Sequence, residues 1–260
     1  MLMKKITVII PSRLLDSKLV IFIRTFQKRF KKLNLNFIII VKQVKIKKPK
    51  IKNSIILTQK KKGFMNACFE AIKYVSDDYF TFIYDDDIFS KEIEKMYEKV
   101  NDYKFVMTYG KVSNIKKKYK FDRINFKEIN SNEILNTFYG GKISKLPFTP
   151  VSPICAIFEK KILNKWKSNI VKYTSKSKLR KTFLLDLNIG PDLILYLIQL
   201  ISLKKEILFT FPNQVYFSNH KNSMSYILGK NKLQIGYWLA KNIIFDDKKI
   251  KKKEIENYYT

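Results

Sequence analysis

The sequence predicts an α/β protein with a mostly parallel central sheet flanked by helices and an irregular C-terminal half. Three observations predict it. Short β-branched apolar runs alternate with segments of helical apolar spacing over roughly the first 100 residues. The runs are continuously apolar rather than alternating, as strands buried on both faces require. A hydrophobic content of 46% over 260 residues supplies one large core and argues against global disorder.

Taken in order, Ile6-Thr7-Val8-Ile9-Ile10 is a buried-strand pattern stopped by Pro11. Residues 17–32 place Leu19, Phe22, Ile23, Phe26 and Phe30 at helical spacing, with Lys and Arg opposite. Phe37 to Val41 is a second strand, Lys45 to Lys52 a cationic connection broken by Pro49, and Ser54 to Leu57 a third strand. Gly63 opens a helix through Val75, and Tyr79 to Ile83 is a fourth strand. Ser90 is an N-cap for a helix through Val100, with Glu92 in its first turn. Phe105 to Tyr109 reads as a strand, and Lys111 to Phe126 as a polar hairpin or extended segment. Gly140-Gly141 marks a flexible loop that, with Lys142 and Lys145, is placed over an acceptor. Ile154 to Phe158 is apolar and leads into a short helix; Pro191 starts a strongly apolar helix through about Leu203. Short strands near Ile207–Phe209 and Val215–Phe217 follow, and Asp246 to Thr260 is a polar, fraying tail. Without an internal repeat or low-complexity linker, the chain reads as one domain. Residues 1–110 form its first half, 111–245 its second, and 246–260 the tail.

Composition narrows the function classes. Cys68 and Cys155 lie far apart in apolar contexts, which suits buried free thiols in a reducing compartment and excludes a disulfide scaffold. The run Ile6–Ile10 is too short for a signal peptide core, and Leu193 to Leu203 is shorter than the ~20 residues of a membrane span. The expected location is cytoplasmic, with a peripheral contact at the inner face of an anionic membrane. The net charge of +30 permits attraction to nucleic acid, anionic lipid or phosphorylated substrates. Arginine, however, occurs only at Arg13, Arg24, Arg29, Arg123 and Arg180. Lysine excess beside abundant Ile, Asn, Phe and Tyr equally fits an AT-rich coding bias, so no specific nucleic acid is expected.

Against that basic background, Asp85, Asp86 and Asp87 follow the fourth strand directly. A solvated turn explains one aspartate and not three, because adjacent like charges repel unless a cation lies between them. Hard carboxylate oxygens suit Mg2+ or Mn2+, and the end of a strand is where open α/β sheets bind ligands.

Three segments in register carry a resemblance: Lys5-Ile6-Thr7-Val8-Ile9-Ile10-Pro11-Ser12; Lys62-Gly63-Phe64-Met65-Asn66-Ala67 with Ala71; and Asp78-Tyr79-Phe80-Thr81-Phe82-Ile83-Tyr84-Asp85-Asp86-Asp87. Together they resemble the first strand, the glycine-initiated helix and the DxD-ending strand of family 2-like glycosyltransferases with the GT-A fold. The resemblance implies a metal-dependent, inverting transfer of sugar from a nucleoside-diphosphate sugar to a glycan or lipid-linked acceptor. It implies Mn2+ or Mg2+ on Asp85 and Asp87, with Asp86 near the ribose. Pro11, Ser12, Arg13, Gly63 and Asn66 would line the nucleotide-sugar pocket. Gly190-Pro191-Asp192 resembles the late acidic motif, making Asp192 the base that deprotonates the acceptor and Asp186 the fallback. A first-turn Asp favoured by the helix dipole is the plain alternative at Asp192. Ser218 to Ser225 resembles a late His-x-x-Ser segment, making His220 a metal ligand or phosphate contact; an exposed turn histidine is the alternative. The sequence departs from the pattern at Cys68-Phe69, where relatives often carry Arg-Asn, and at Lys42-Gln43, where many carry an acid.

Two other classes compete. A nucleotidyltransferase would also use paired aspartates and a metal, but needs a glycine-rich loop after the first strand, and Pro11-Ser12-Arg13-Leu14-Leu15 has no glycine. A non-enzymatic basic nucleic-acid-binding protein would use Lys45–Lys52, Lys116–Lys118 and Lys248–Lys253 on phosphates, yet no recognition motif accompanies them.

Overall fold

A computed structural model describes residues 4–46, 49–114, 121, 123–139, 152–203, 207–219 and 224–246. Its strands are β1 (Ile6–Leu15), β2 (Leu35–Val44), β3 (Ser54–Thr58), β4 (Tyr79–Phe82), β5 (Ile88–Phe89), β6 (Val106–Asn114), β7 (Asn125–Ile129), β8 (Ala156–Glu159) and β9 (Ile207–Asn219). They form one sheet in the order β3-β2-β1-β4-β8-β6-β9-β5, with β7 on β9. The long ladders, β1 with β2, β2 with β3, β1 with β4 and β6 with β9, are parallel. Antiparallel β8 joins the two parallel blocks.

The helices are α1 (Ser17–Arg29), α2 (Phe64–Ala71), α3 (Ile93–Glu98), α4 (Ser131–Tyr139), α5 (Leu163–Thr174), α6 (Lys178–Lys181), α7 (Pro191–Ser202) and α8 (Met224–Asp246). The period-2 alternation of the strands sorts them into two layers. Val8 and Ile10 face one cluster, with Leu19, Ile23 and Phe26 of α1 and Met96 of α3. Ile9, Ile38, Ile40 and Phe80 face the other, with α2, α4, α5, α7 and α8. Burial of each α1 core side chain contributes about 1.5–3 kcal/mol. Asp16 caps α1, accepting from the Leu19 amide at 3.0 Å.

Four elements differ from expectation. β1 runs through Pro11 to Leu15. Ile6 donates to Asn34 on the β2 side and Ile9 accepts from Ile83 on the β4 side, so alternation turns the Pro11 nitrogen toward β4. The β1–β4 ladder ends at Ile9, and the missing N–H therefore costs no bond. The two short strands expected after residue 206 are one strand, β9. Its register on β6 jumps from Thr108–Thr210 to Gly110–Val215, so the residues around Pro212 bulge without ending it. Ser90 accepts from the Glu92 amide at 3.0 Å rather than capping a helix directly; α3 starts at Ile93 and continues as a 3-10 turn through Asn101. At the described ends of Lys111–Phe126 the extended reading holds: β6 extends to Asn114 and β7 starts at Asn125, both on β9. The pattern over Met224–Asp246, interrupted by Gly229 and Gly236, announces no helix, yet α8 forms by packing on α7, with a kink at Gly229.

Both cysteines are free and buried, as their contexts indicate. No single described helix is long and apolar enough to cross a membrane, and α7 is buried almost throughout. Gly140, Gly141, Lys142, Lys145, Lys116–Lys118, His220 and the tail past Asp246 lie outside the described residues.

Candidate active site

The acid triplet stands at the carboxyl end of β4, in the crevice beside β1 where a parallel sheet offers a site. A turn forms as the Asp87 amide donates to the Tyr84 carbonyl at 3.3 Å. That turn separates the side chains: Asp85 and Asp86 are exposed, Asp87 is buried. Ser12, near the end of β1, donates its hydroxyl to Asp85 Oδ2 at 2.7 Å. Desolvation pushes the Asp85 carboxyl above the usual range, the Ser12 hydroxyl pulls it down, and neighbouring Asp86 raises it further.

Gly63 begins α2 at φ +106°, a left-handed value that side chains rarely adopt. Its carbonyl accepts from Gln59 Nε2 at 2.7 Å. The next residue, Phe64, packs its ring 5.8 Å from Tyr84, so the start of α2 stands beside the aspartate turn.

Asp192 reaches the same place from the second half of the chain. Gly190 turns left-handed at φ +100°, Pro191 starts α7, and Asp192 occupies its first turn. Three contacts seat this corner. Trp166 of α5 donates its indole N–H to the Pro191 carbonyl at 2.7 Å. A Cβ on Gly190 would meet the Gly236 carbonyl and Ala240 at 2.8 Å, and one on Gly236 would meet Ile189 at 2.2 Å, so α8 lies directly on the corner. Burial raises the Asp192 carboxyl to about 7, against the pull of the Leu193 amide, which donates to Oδ1 at 3.0 Å.

Asp192, Tyr84, Phe64, Cys68 and Trp166 line one narrow cleft of about 280 Å³, open solvent included. The Tyr84 phenol is pushed well above its usual range, first by burial and then by Cys68, Asp192, Asp87 and Asp86. One side chain thus feels both acidic sites. Burial also raises the Cys68 thiol, which suits a wall residue rather than a nucleophile.

The remaining expected residues sort by position. Pro11 is buried in β1 beside the Ser12–Asp85 contact, and Arg13 is exposed. Asn66 lies on the outer side of α2, donating to the Lys62 carbonyl at 2.6 Å and lining a neighbouring groove. Asp186 is exposed at the end of a π-helical turn, Thr182–Asp186, and does not line the Asp192 cleft. Tyr84 and Trp166 are the positions that sequence reading missed. Tyr84 was legible as the residue bordering the triplet; Trp166 carried no local signal.

Among the described residues no three His, Cys, Asp or Glu side chains converge on a metal-sized point. Asp85 and Asp87 present two carboxylates from one turn, a donor set that fits Mg2+ or Mn2+ completed by substrate phosphates and water.

Residues 39–167 match the model of Glycosyl transferase family 2. Over that stretch, just under half of its length, the chain matches the family 2-like glycosyltransferases, and its fold is the GT-A fold. The crystal structure of S. aureus TarS shares that fold with a TM-score of 0.53 and 10% identity, over 84% of this chain and 37% of that one. The crystal structure of S. aureus TarS 1-349 gives 0.53 and 12% identity, over 82% of this chain and 60% of that one. At such identities the likeness bears on fold alone, and the chain spans less than two thirds of either structure. No curated protein sequence matches this one.

Proposed function

We propose that this glycosyltransferase moves a sugar from a nucleoside-diphosphate sugar to a glycan or lipid-linked acceptor, with inversion and with Mn2+ or Mg2+. The observation that carries the reading is Tyr84: it lines the cleft with the half-buried Asp192, directly precedes the β4 aspartate turn, and lies within electrostatic reach of Asp192, Asp87 and Asp86.

The parts divide as the chemistry needs. Residues 1–110 hold the donor: Ser12 orients Asp85, and Asp87 supplies the second carboxylate. When bound, the cation would neutralise the departing diphosphate. Residues 111–245 hold the acceptor side. Asp192, with a carboxyl near 7, can accept the proton of an attacking hydroxyl and is not fully committed to either charge state near neutral pH. Attack from the Asp192 side and departure toward the aspartate turn give a single displacement, hence inversion.

The test is calorimetry with a panel of nucleoside diphosphates and Mn2+. Binding is expected to need the metal and to vanish in Asp87→Ala. Unchanged binding in that variant would remove the metal role from this turn.

A further inference from the structure

On the outer side of the α2–α5 wall, away from the Asp192 cleft, lies a second and larger groove of about 970 Å³ of open space. Four lysines line it: Lys61, Lys73, Lys167 and Lys181. None of the four forms an ion pair among the described residues. The single acid there, Glu70, has its carboxylate engaged by the Lys60 amide at 3.0 Å. Lys167 sits over the Phe69 ring at 5.9 Å, so the groove joins cationic heads to an aromatic floor.

One exposed apolar side chain lines the groove, and two more neighbour its lysines along the chain. Val171 lines the groove and is 48% exposed. Leu179 shares α6 with Lys181 and is 54% exposed; Tyr74 follows Lys73 and is 48% exposed. Lysines alone would suit any polyanion. Lysines around exposed aliphatic and aromatic side chains suit an anionic surface with a hydrocarbon layer beneath it. Nucleic acid explains the charge but leaves Val171 and Leu179 without a partner, and arginine, its favoured reader, is scarce in this chain.

We infer that the α2–α5 groove is a docking site for anionic phospholipid headgroups, with Val171, Leu179 and Tyr74 entering the interface. This deepens the proposed reading by giving a lipid-linked acceptor a membrane-facing side of the enzyme, and it rests on that reading only for the acceptor. The groove and the cleft share the α2–α5 wall, with Trp166 on one side and Lys167 on the other. Docking would therefore hold the enzyme at the bilayer with this one helix layer between the lipid and the cleft.

The experiment is co-sedimentation with phosphatidylcholine vesicles, with and without phosphatidylglycerol. The triple variant Lys73→Glu, Lys167→Glu, Lys181→Glu should lose at least roughly a hundredfold in partition to anionic vesicles, about fivefold per lysine. The same reversal at Lys18, Lys31 and Lys91, exposed on the α1/α3 side, should change it less than about threefold. Val171→Ser with Leu179→Ser, charge intact, should lose roughly tenfold. Equal losses in both triple variants would overturn the site in favour of general charge. So would failure to bind anionic vesicles, loss of binding on Trp238→Ser alone (an exposed α8 residue that does not line the groove), or a groove variant that loses oligonucleotide binding but keeps vesicle binding. Nucleoside diphosphate binding, measured on the groove variant without vesicles, should be unchanged. That readout keeps failure of docking separate from failure of the catalytic reading.

Discussion

The two acidic sites are held in different ways. The Asp85–Asp87 turn follows directly from its strand, exposes Asp85 and Asp86, and is oriented by one side-chain contact from Ser12. The Asp192 corner has a buried backbone at Gly190 and Pro191 and a half-buried carboxyl, and is seated by Trp166 and by α8 through Gly236 and Ala240. The difference fits the proposed roles. An exposed Asp85 stays near water, where a cation ligand keeps its charge, whereas a base needs a carboxyl raised toward neutrality, which desolvation provides at Asp192. The contrast predicts that damage at the exposed turn shows in donor binding, and damage at the buried corner in rate and stability.

The largest effect is expected from Asp192→Asn, with a fall in transfer of roughly 100- to 10,000-fold and unchanged nucleoside diphosphate binding. The wild-type rate should fall about tenfold per pH unit below about 7, where Asp192 is protonated. Stability should run the other way. The folded carboxyl titrates near 7 and the unfolded one near ~3.9, so the fold binds the extra proton between these values and weakens as pH rises through them. Asp192→Asn should abolish that slope and gain roughly 2–4 kcal/mol at pH 8 in urea titrations. Transfer that survives the substitution would pass the base role to another acid.

Gly190→Ala comes next. A methyl group at a left-handed φ and 2.8 Å from a backbone carbonyl should cost about 2–4 kcal/mol, read as a lower urea midpoint. Trp166→Phe keeps the ring but drops the bond to the Pro191 carbonyl. It should cost about 1–2 kcal/mol and lower kcat while leaving donor affinity alone. Ser12→Ala is the mildest: Mn2+-dependent nucleoside diphosphate binding should weaken by roughly three- to tenfold, with stability within about 0.5 kcal/mol. A stability loss in Ser12→Ala as large as in Gly190→Ala would erase the contrast between the corners.

The donor side was readable residue by residue because its parts are local. β-branched runs, a glycine before a helix and acids after a strand are each set within a few positions, and parallel packing needs only their order. The same locality misled at Pro11, where proline looked like a stop, and after residue 206, where one bulged strand read as two short ones. Whether a missing N–H matters depends on which neighbouring strand stands opposite, and at Pro11 the β4 partner had already ended.

Sequence alone was sufficient for the α/β class, the first parallel strands, the family resemblance and the acid triplet, since all four arise from short-range pattern. It also named Asp192, but with no means of separating a base from an ordinary helix-start aspartate. What the fold adds is the surroundings of that carboxyl: Trp166 and α8, distant along the chain, pack on the corner that carries it. Burial sums contributions from segments that share no local signal, so a raised carboxyl, an α2–α5 groove or a helix containing Gly229 and Gly236 exists only once those segments have packed.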